Sequence, residues 1–173
     1  MLKKKITVLG LLIVIIAIGS WFRLSGIITN SFAFTYDVGR DMLAVEDIVV
    51  NQKISLIGPT TGIEGIFYGP WWYLILIIPF FVFSGNPQGM AFFMCIVGIT
   101  TIIVAYYLGK KIGGVFLGIV FSAFISVSPL MILTSSQIWS PNLAPFFVLI
   151  VFTMLYNLVF DGKSKTSNLK YLF

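Results

Sequence analysis

Two stretches of this chain, 65–109 and 112–160, run for 45 and 49 residues without a charged side chain, and only Lys110 and Lys111 separate them. A water-soluble domain carries charge on about a quarter of its residues. Here charged residues make up 10% and hydrophobic ones 58%, and the mean hydropathy is +1.03. The chain reads as an all-α integral membrane protein, one transmembrane domain over 1–173. The same composition excludes several chemistries. There is no histidine, hence no histidine zinc site, histidine base or Ser-His-Asp triad. Cys95 is the only cysteine, which excludes an intramolecular disulfide and a cysteine metal cluster. The net charge of +5 comes from short basic clusters beside apolar runs. That is a pattern of membrane topology, and no nucleic-acid partner is implied.

Lys3, Lys4 and Lys5 precede an apolar run over 6–22, closed by Arg23 and extendable through 24–28. A secretory leader begins in a similar way. The run is long for a leader's apolar segment and no small-x-small cleavage site follows Ser20, so an uncleaved first helix is expected. Residues 29–66 then hold five of the six acidic side chains: Asp37, Asp41, Glu46, Asp47 and Glu64. Within them, Val38, Met42, Val45 and Val49 form one stripe, with Arg40, Asp47 and Asn51 opposite. This spacing predicts a surface helix over 37–51. A second apolar element covers about 68–83, starts with Trp71, Trp72 and Tyr73, and contains Pro79.

Charge parity selects the spans. The basic clusters at 3–5, 110–111 and 163–170 should share the cytoplasmic side, so an even number of crossings must separate each pair. Three apolar elements lie between the first two clusters. The shortest, 68–83, has an aromatic head and an internal proline and is expected not to cross. Four spans follow, at about 6–27, 88–109, 112–132 and 143–160. The N-terminus is cytoplasmic, the loop 29–87 is extracytoplasmic with juxtamembrane helices at about 37–51 and 68–83, and 161–173 forms a cytoplasmic tail. A five-span rival puts 84–87 in the cytoplasm. Gly113 and Gly114 suit a tight cytoplasmic turn.

The spans show no charge in their cores, which argues against a pump, channel or coupled transporter. Chemistry is expected in the first external loop, where Asp37 and Asp41 stand four apart with Arg40 beside them. A carboxylate there could serve as a general base toward an acceptor hydroxyl, and an arginine could hold a phosphate. From spacing alone Asp37 reads more readily as the cap of the helix it begins, and Asp41 as an ordinary i+4 partner or a solvated surface group. Glu46 and Asp47 read as the wet face of the surface helix. Trp71, Trp72 and Tyr73 read as interfacial anchors, and Cys95 as packing within a span.

Four motifs, in order, resemble a known family. They are Tyr36-Asp37-Val38-Gly39-Arg40-Asp41 after the first span; Tyr68-Gly69-Pro70-Trp71-Trp72-Tyr73; Leu108-Gly109-Lys110-Lys111; and Ser128-Pro129 followed by Trp139-Ser140-Pro141-Asn142. In this order the chain resembles the N-terminal part of polytopic GT-C glycosyltransferases, in the bacterial branch similar to protein O-mannosyltransferases and the lipid A aminoarabinose transferase. The resemblance covers nearly the whole chain. It implies a hexosyltransferase-like enzyme of the cell membrane. Such an enzyme moves a sugar, with inversion, from a polyprenyl-phosphate donor to a lipid, glycan or protein acceptor at the extracytoplasmic face.

On that resemblance Asp37 is the catalytic carboxylate. Arg40, Asp41, Glu64 and Tyr68 are supporting contacts to phosphate or substrate, and Trp139 and Asn142 are the second-loop residues. No cofactor is named; a divalent metal on the leaving phosphate is left open. Gly69 stands where the aminoarabinose branch has a lysine, so that substrate is not implied. Family members are several times longer, so the chain is expected to be an N-terminal fragment or truncated product. The readings held beside this one are a non-catalytic membrane scaffold and, less favoured, a small transporter subunit.

Overall fold

The computed structural model describes residues 2–161, and within them the architecture is helical, with one isolated bridge and no strand. Helix α1 spans Leu2–Ile28, α2 Tyr36–Val49, α3 Trp71–Val82, α4 Pro87–Val127, α5 Pro129–Thr134 and α6 Ala144–Tyr156. A 3₁₀ turn, Ser140–Leu143, leads into α6, and a π turn, Asn157–Asp161, follows it. Lys163, Lys165 and Lys170 of the expected tail lie outside the described residues. Among the described residues, three helical stretches are long and apolar enough to cross a membrane: Lys5–Ile28, Pro87–Val127 and Ser140–Phe160. They leave much of their apolar surface uncovered, including Ile6, Leu9, Ile13, Phe116, Phe124, Phe152 and Leu158.

The second and third expected spans are the two arms of α4. The break falls at Gly113 and Gly114, a few residues beyond the lysine pair. Gly113 has φ −138° and ψ 24°, and Gly114 has φ 80° and ψ −174°, a combination open essentially to glycine alone. The arms fold back on each other with glycine against glycine. A Cβ on Gly109 would lie 3.0 Å from the Gly118 Cα, and one on Gly118 would lie 2.8 Å from the Tyr106 carbonyl oxygen. The second arm ends at Val127 rather than near 132, because Pro129 lacks an N–H and forces Ser128 into an extended conformation (φ −62°, ψ 121°).

Helix α1 lies antiparallel to the first arm. At one end the Gln88 side-chain amide donates to the Ile27 carbonyl at 2.8 Å. At the other end Lys5 and Lys110 line one cleft. The Tyr156 hydroxyl donates to the Lys111 carbonyl at 3.0 Å, and Lys111 Nζ donates to the Asn157 side chain. The last turn of α6 therefore reaches the same end. Ile102, Ala105 and Ile125 form the core between the arms, with Ile15, Ile16 and Leu149 packed on it. A larger core at the opposite end joins Ile27, Val38, Val45, Trp72, Leu76, Met90, Met94, Cys95, Ile138 and Leu143. It is what fixes α2 and α3 to the bundle.

Arg23 departs from its expected role as the residue that closes the first run. It is 1% exposed, five residues before the end of α1. Its Nη2 donates to the Ile125 carbonyl at 2.9 Å, and its Nη1 to the carbonyls of Ser126 (2.9 Å) and Gly19 (3.0 Å). Its Nε donates to the Ser135 hydroxyl at 3.1 Å. In an unbroken helix the Ile125 carbonyl would accept from the N–H of residue 129, which is a proline. Arg23 supplies the missing donor from another helix. A helical segment read as free of buried charge thus contains one, neutral in hydrogen bonding though not in charge.

Candidate functional site at the loop end of the bundle

Thr35, in an extended conformation, caps α2 through its hydroxyl, which accepts from the Val38 N–H at 3.5 Å. Asp37 is therefore not the cap. It sits in the first turn, where a carboxylate is favoured by the helix dipole. The stripe Val38, Met42, Val45 packs into the core. The turn of the helix carries Asp41 with it, so Asp41 is 1% exposed instead of solvated.

A cation and two carboxylates meet on this turn. Arg40 donates from Nε (3.0 Å) and Nη2 (2.8 Å) to Asp41 Oδ1. Its Nη1 contacts Asp37 Oδ1 at 2.9 Å and donates to the Thr60 hydroxyl at 3.1 Å. The second Asp41 oxygen accepts from the indole Nε1 of Trp72 at 2.6 Å. Every partner of Asp41 is a donor, an environment suited to a carboxylate. Burial is the largest influence on Asp41 and raises its pKa above the ordinary value; the hydrogen bonds from Arg40 and Trp72 oppose this without cancelling it. Burial alone would lower the Arg40 pKa, but the hydrogen bond and charge of Asp41, with the charge of Asp37, outweigh it and raise it. Burial also raises the Tyr73 hydroxyl, with Asp41 adding to the effect.

The two carboxylates thus have different surroundings. Asp41 is enclosed, while the Asp37 side chain is 49% exposed and meets Arg40 through one oxygen. The Arg40 guanidinium engages Asp37, Asp41, Thr60 and Tyr73 within the cluster. Among the described residues no group of three or more acidic or cysteine side chains gathers that could hold a metal ion. The acidic pair here is bridged by a guanidinium, so these residues do not fit a metal.

The loop between α2 and α3 supplies Thr60. Gly58 N–H donates to the Tyr68 carbonyl and Tyr68 N–H to the Pro59 carbonyl, both at 2.9 Å, and Thr60 pairs with Phe67. This short ladder brings Tyr68 alongside Trp71 and Trp72. These three, with Gly69 and Ile75, face Ser140, Leu143, Ala144 and Phe147 across a groove of about 320 Å³. The groove joins the second motif to the fourth. Trp72 is the link to the first, since it lines the groove and bonds Asp41.

The remaining predicted residues stand apart. Glu64 lies on the exposed turn of the loop. Trp139 is half exposed, and its carbonyl accepts from the Asn142 N–H at 3.0 Å. The Asn142 amide donates to the Gln137 carbonyl at 3.1 Å, and Asn142 borders a small cavity of about 10 Å³ together with Arg23, Thr101 and Ser135. Thr60, Trp72 and Arg23 were missed as polar partners. For Arg23 a signal existed in Pro129, which strips one carbonyl of its donor; for Thr60 and Trp72 nothing local marks the partner. No family model matches this sequence, and no curated protein and no solved structure matches it either.

Proposed function

We propose that this chain is a multi-pass membrane protein acting in glycosyl transfer. It takes a sugar from a polyprenyl-phosphate donor to a hydroxyl- or amine-bearing lipid, glycan or protein outside the cytoplasm. The observation that carries the proposal is the convergence of three separated motifs at one end of the bundle: the Asp37–Arg40–Asp41 cluster, the aromatic segment 68–73 and the second-loop turn 140–143, joined through Trp72. In this reading α1, the two arms of α4 and α6 are four crossings. The 12 residues of α3 reach only about 18 Å at 1.5 Å each, short of a hydrocarbon layer of about 30 Å, and no further helix extends them; the second arm of α4, similarly short by itself, is followed directly by α5, Pro129–Thr134. Antiparallel packing gathers Lys5, Lys110 and Lys111 at one end, which supports a cytoplasmic placement for that end and an external one for the cluster.

Asp37 then acts as general base. Its free oxygen takes the proton of the acceptor hydroxyl as that oxygen attacks the anomeric carbon, and the bond to the prenyl phosphate breaks on the opposite face, inverting the centre. Arg40 holds the other Asp37 oxygen and so fixes the carboxylate's direction. Asp41 positions Arg40 and contacts no reactant. The aromatic walls of the groove offer faces on which a sugar ring or prenyl chain can lie.

The test uses membranes containing the chain in its longest natural context, supplied with radiolabelled polyprenyl-phosphate sugars. Transfer by wild type and its loss in a folded Asp37→Asn variant is the expected result. Equal transfer by both would remove Asp37 from the chemistry, and absence of transfer and donor binding in both would favour a scaffold. The crossings are tested separately by Asn86→Cys labelling, which should occur from the external side only.

A further inference from the structure

The end of the bundle away from the acidic cluster carries a second site. Val8, Leu9 and Leu12 on α1, with Tyr106 and Val115 flanking the α4 break, wall a cleft of about 450 Å³, and Lys5 and Lys110 stand over it. The volume lies within the range of small-molecule sites. Its walls are mostly apolar, and the charged groups lining it, Lys5 and Lys110, are both cations; the Tyr106 side chain adds an aromatic ring with a hydroxyl. Lys110 Nζ lies 5.9 Å from the centroid of the Tyr106 ring, so its ammonium leans over the mouth of the cleft.

The occupant must therefore be apolar along its length and anionic at one end. We propose that this cleft binds an anionic phospholipid of the cytoplasmic leaflet, with its phosphate between Lys5 and Lys110 and an acyl chain along Val8, Leu9, Leu12 and Val115. Basic pockets between membrane helices on the cytoplasmic side recognise lipid head groups in this way. Charge complementarity selects the class of lipid, since a zwitterionic head group brings the lysines no net counter-charge. Position selects phospholipid over the prenyl-phosphate donor, because the cleft lies at the far end of the bundle from Asp37. The proposal rests on the reading of the chain as membrane-spanning.

Native mass spectrometry of the detergent-solubilised full chain tests it, with phosphatidylglycerol and phosphatidylcholine of matched acyl chains as probes. Wild type should retain phosphatidylglycerol about tenfold better than phosphatidylcholine, from two interfacial cations acting together. Lys5→Gln with Lys110→Gln should abolish the preference, and Leu12→Trp, which fills the cleft and keeps both cations, should weaken retention of both lipids. Equal retention of the two lipids by wild type, or a preference that survives loss of both lysines, overturns the site. Tighter retention of a polyprenyl phosphate than of phosphatidylglycerol overturns the choice of occupant. Carbonate extraction runs alongside: a chain that stays in the membrane yet shows no preference refutes the lipid site alone, whereas a chain that washes out refutes the membrane reading beneath it.

Discussion

Trp72 and Asp41, 31 residues apart, meet through a 2.6 Å hydrogen bond from the indole Nε1 to Oδ2 in the buried seam between α2 and α3. The bond makes one aromatic side chain both a wall of the groove and a partner of the acidic cluster. Trp72→Phe keeps most of the ring volume and removes the donor. It should cost about 1–3 kcal/mol of stability, the range for stripping one partner from a buried polar group. Denaturant unfolding in detergent measures this, and a double-mutant cycle with Asp41→Asn isolates the bond. Strictly additive costs would show that the contact contributes nothing.

The two carboxylates of the cluster should separate by experiment. Asp37→Asn removes an exposed ion pair and should change stability by no more than about 0.5 kcal/mol. Asp41→Ala strands the Trp72 N–H and two Arg40 donors in the seam and should cost about 2–3 kcal/mol. Similar penalties for both would erase the division between an exposed carboxylate and an enclosed one.

Acid titration reports on Asp41 with a defined sign. Its folded pKa is raised, above an unfolded value of about 3.9. In the window between the two values the folded chain binds more protons than the unfolded one, so stability falls as pH rises through it and levels off above it. The difference in unfolding free energy between wild type and Asp41→Asn should follow this slope. A difference that grows with rising pH would mean that the Arg40 pair outweighs burial.

How much of this was legible depended on how far each partner lies along the chain. The 37–51 helix came from a local apolar stripe, and its observed bounds, Tyr36–Val49, differ by one or two residues. The Gly113–Gly114 turn was likewise visible in two adjacent letters. Asp41 was harder. Its spacing from Asp37 reads as an i+4 partner or a solvated surface group, but α3 arrives from 30 residues downstream and covers it. Trp72 looked like an interfacial anchor because an indole N–H carries no mark of the acceptor it will meet. Arg23 looked like a terminator because it follows an apolar run, and its acceptors are mostly main-chain carbonyls, which leave no trace in a sequence.

Arg23→Ala should be among the most damaging single changes in the protein. It orphans the Ile125 carbonyl and cuts the contacts to Ser126 and Ser135, for an expected loss of more than about 3 kcal/mol. Arg23→Lys keeps the charge but cannot reach all four acceptors with one ammonium and should fall between Ala and wild type. Thermal unfolding in detergent ranks the three; an alanine variant as stable as wild type would show that the cage is ornamental.

The reversal at Gly114 makes a separate claim. With φ 80° and ψ −174°, Gly114→Ala should cost about 1–3 kcal/mol through backbone strain alone, because a Cβ there meets no neighbour within 4 Å. A loss below about 0.5 kcal/mol in the same unfolding assay would mean that the turn relaxes without penalty.

Order of synthesis gives the Arg23 cage another meaning. Its donors sit on α1, and its acceptors on Ile125, Ser126 and Ser135 are made 102 to 112 residues later. Until that segment exists, a guanidinium about 7 Å from the helix end has no cage, and its long side chain can reach the aqueous boundary instead. On the membrane-spanning reading proposed above, α1 can therefore enter early, but its final depth and rotation are set only when the second arm and the proline that ends it have followed.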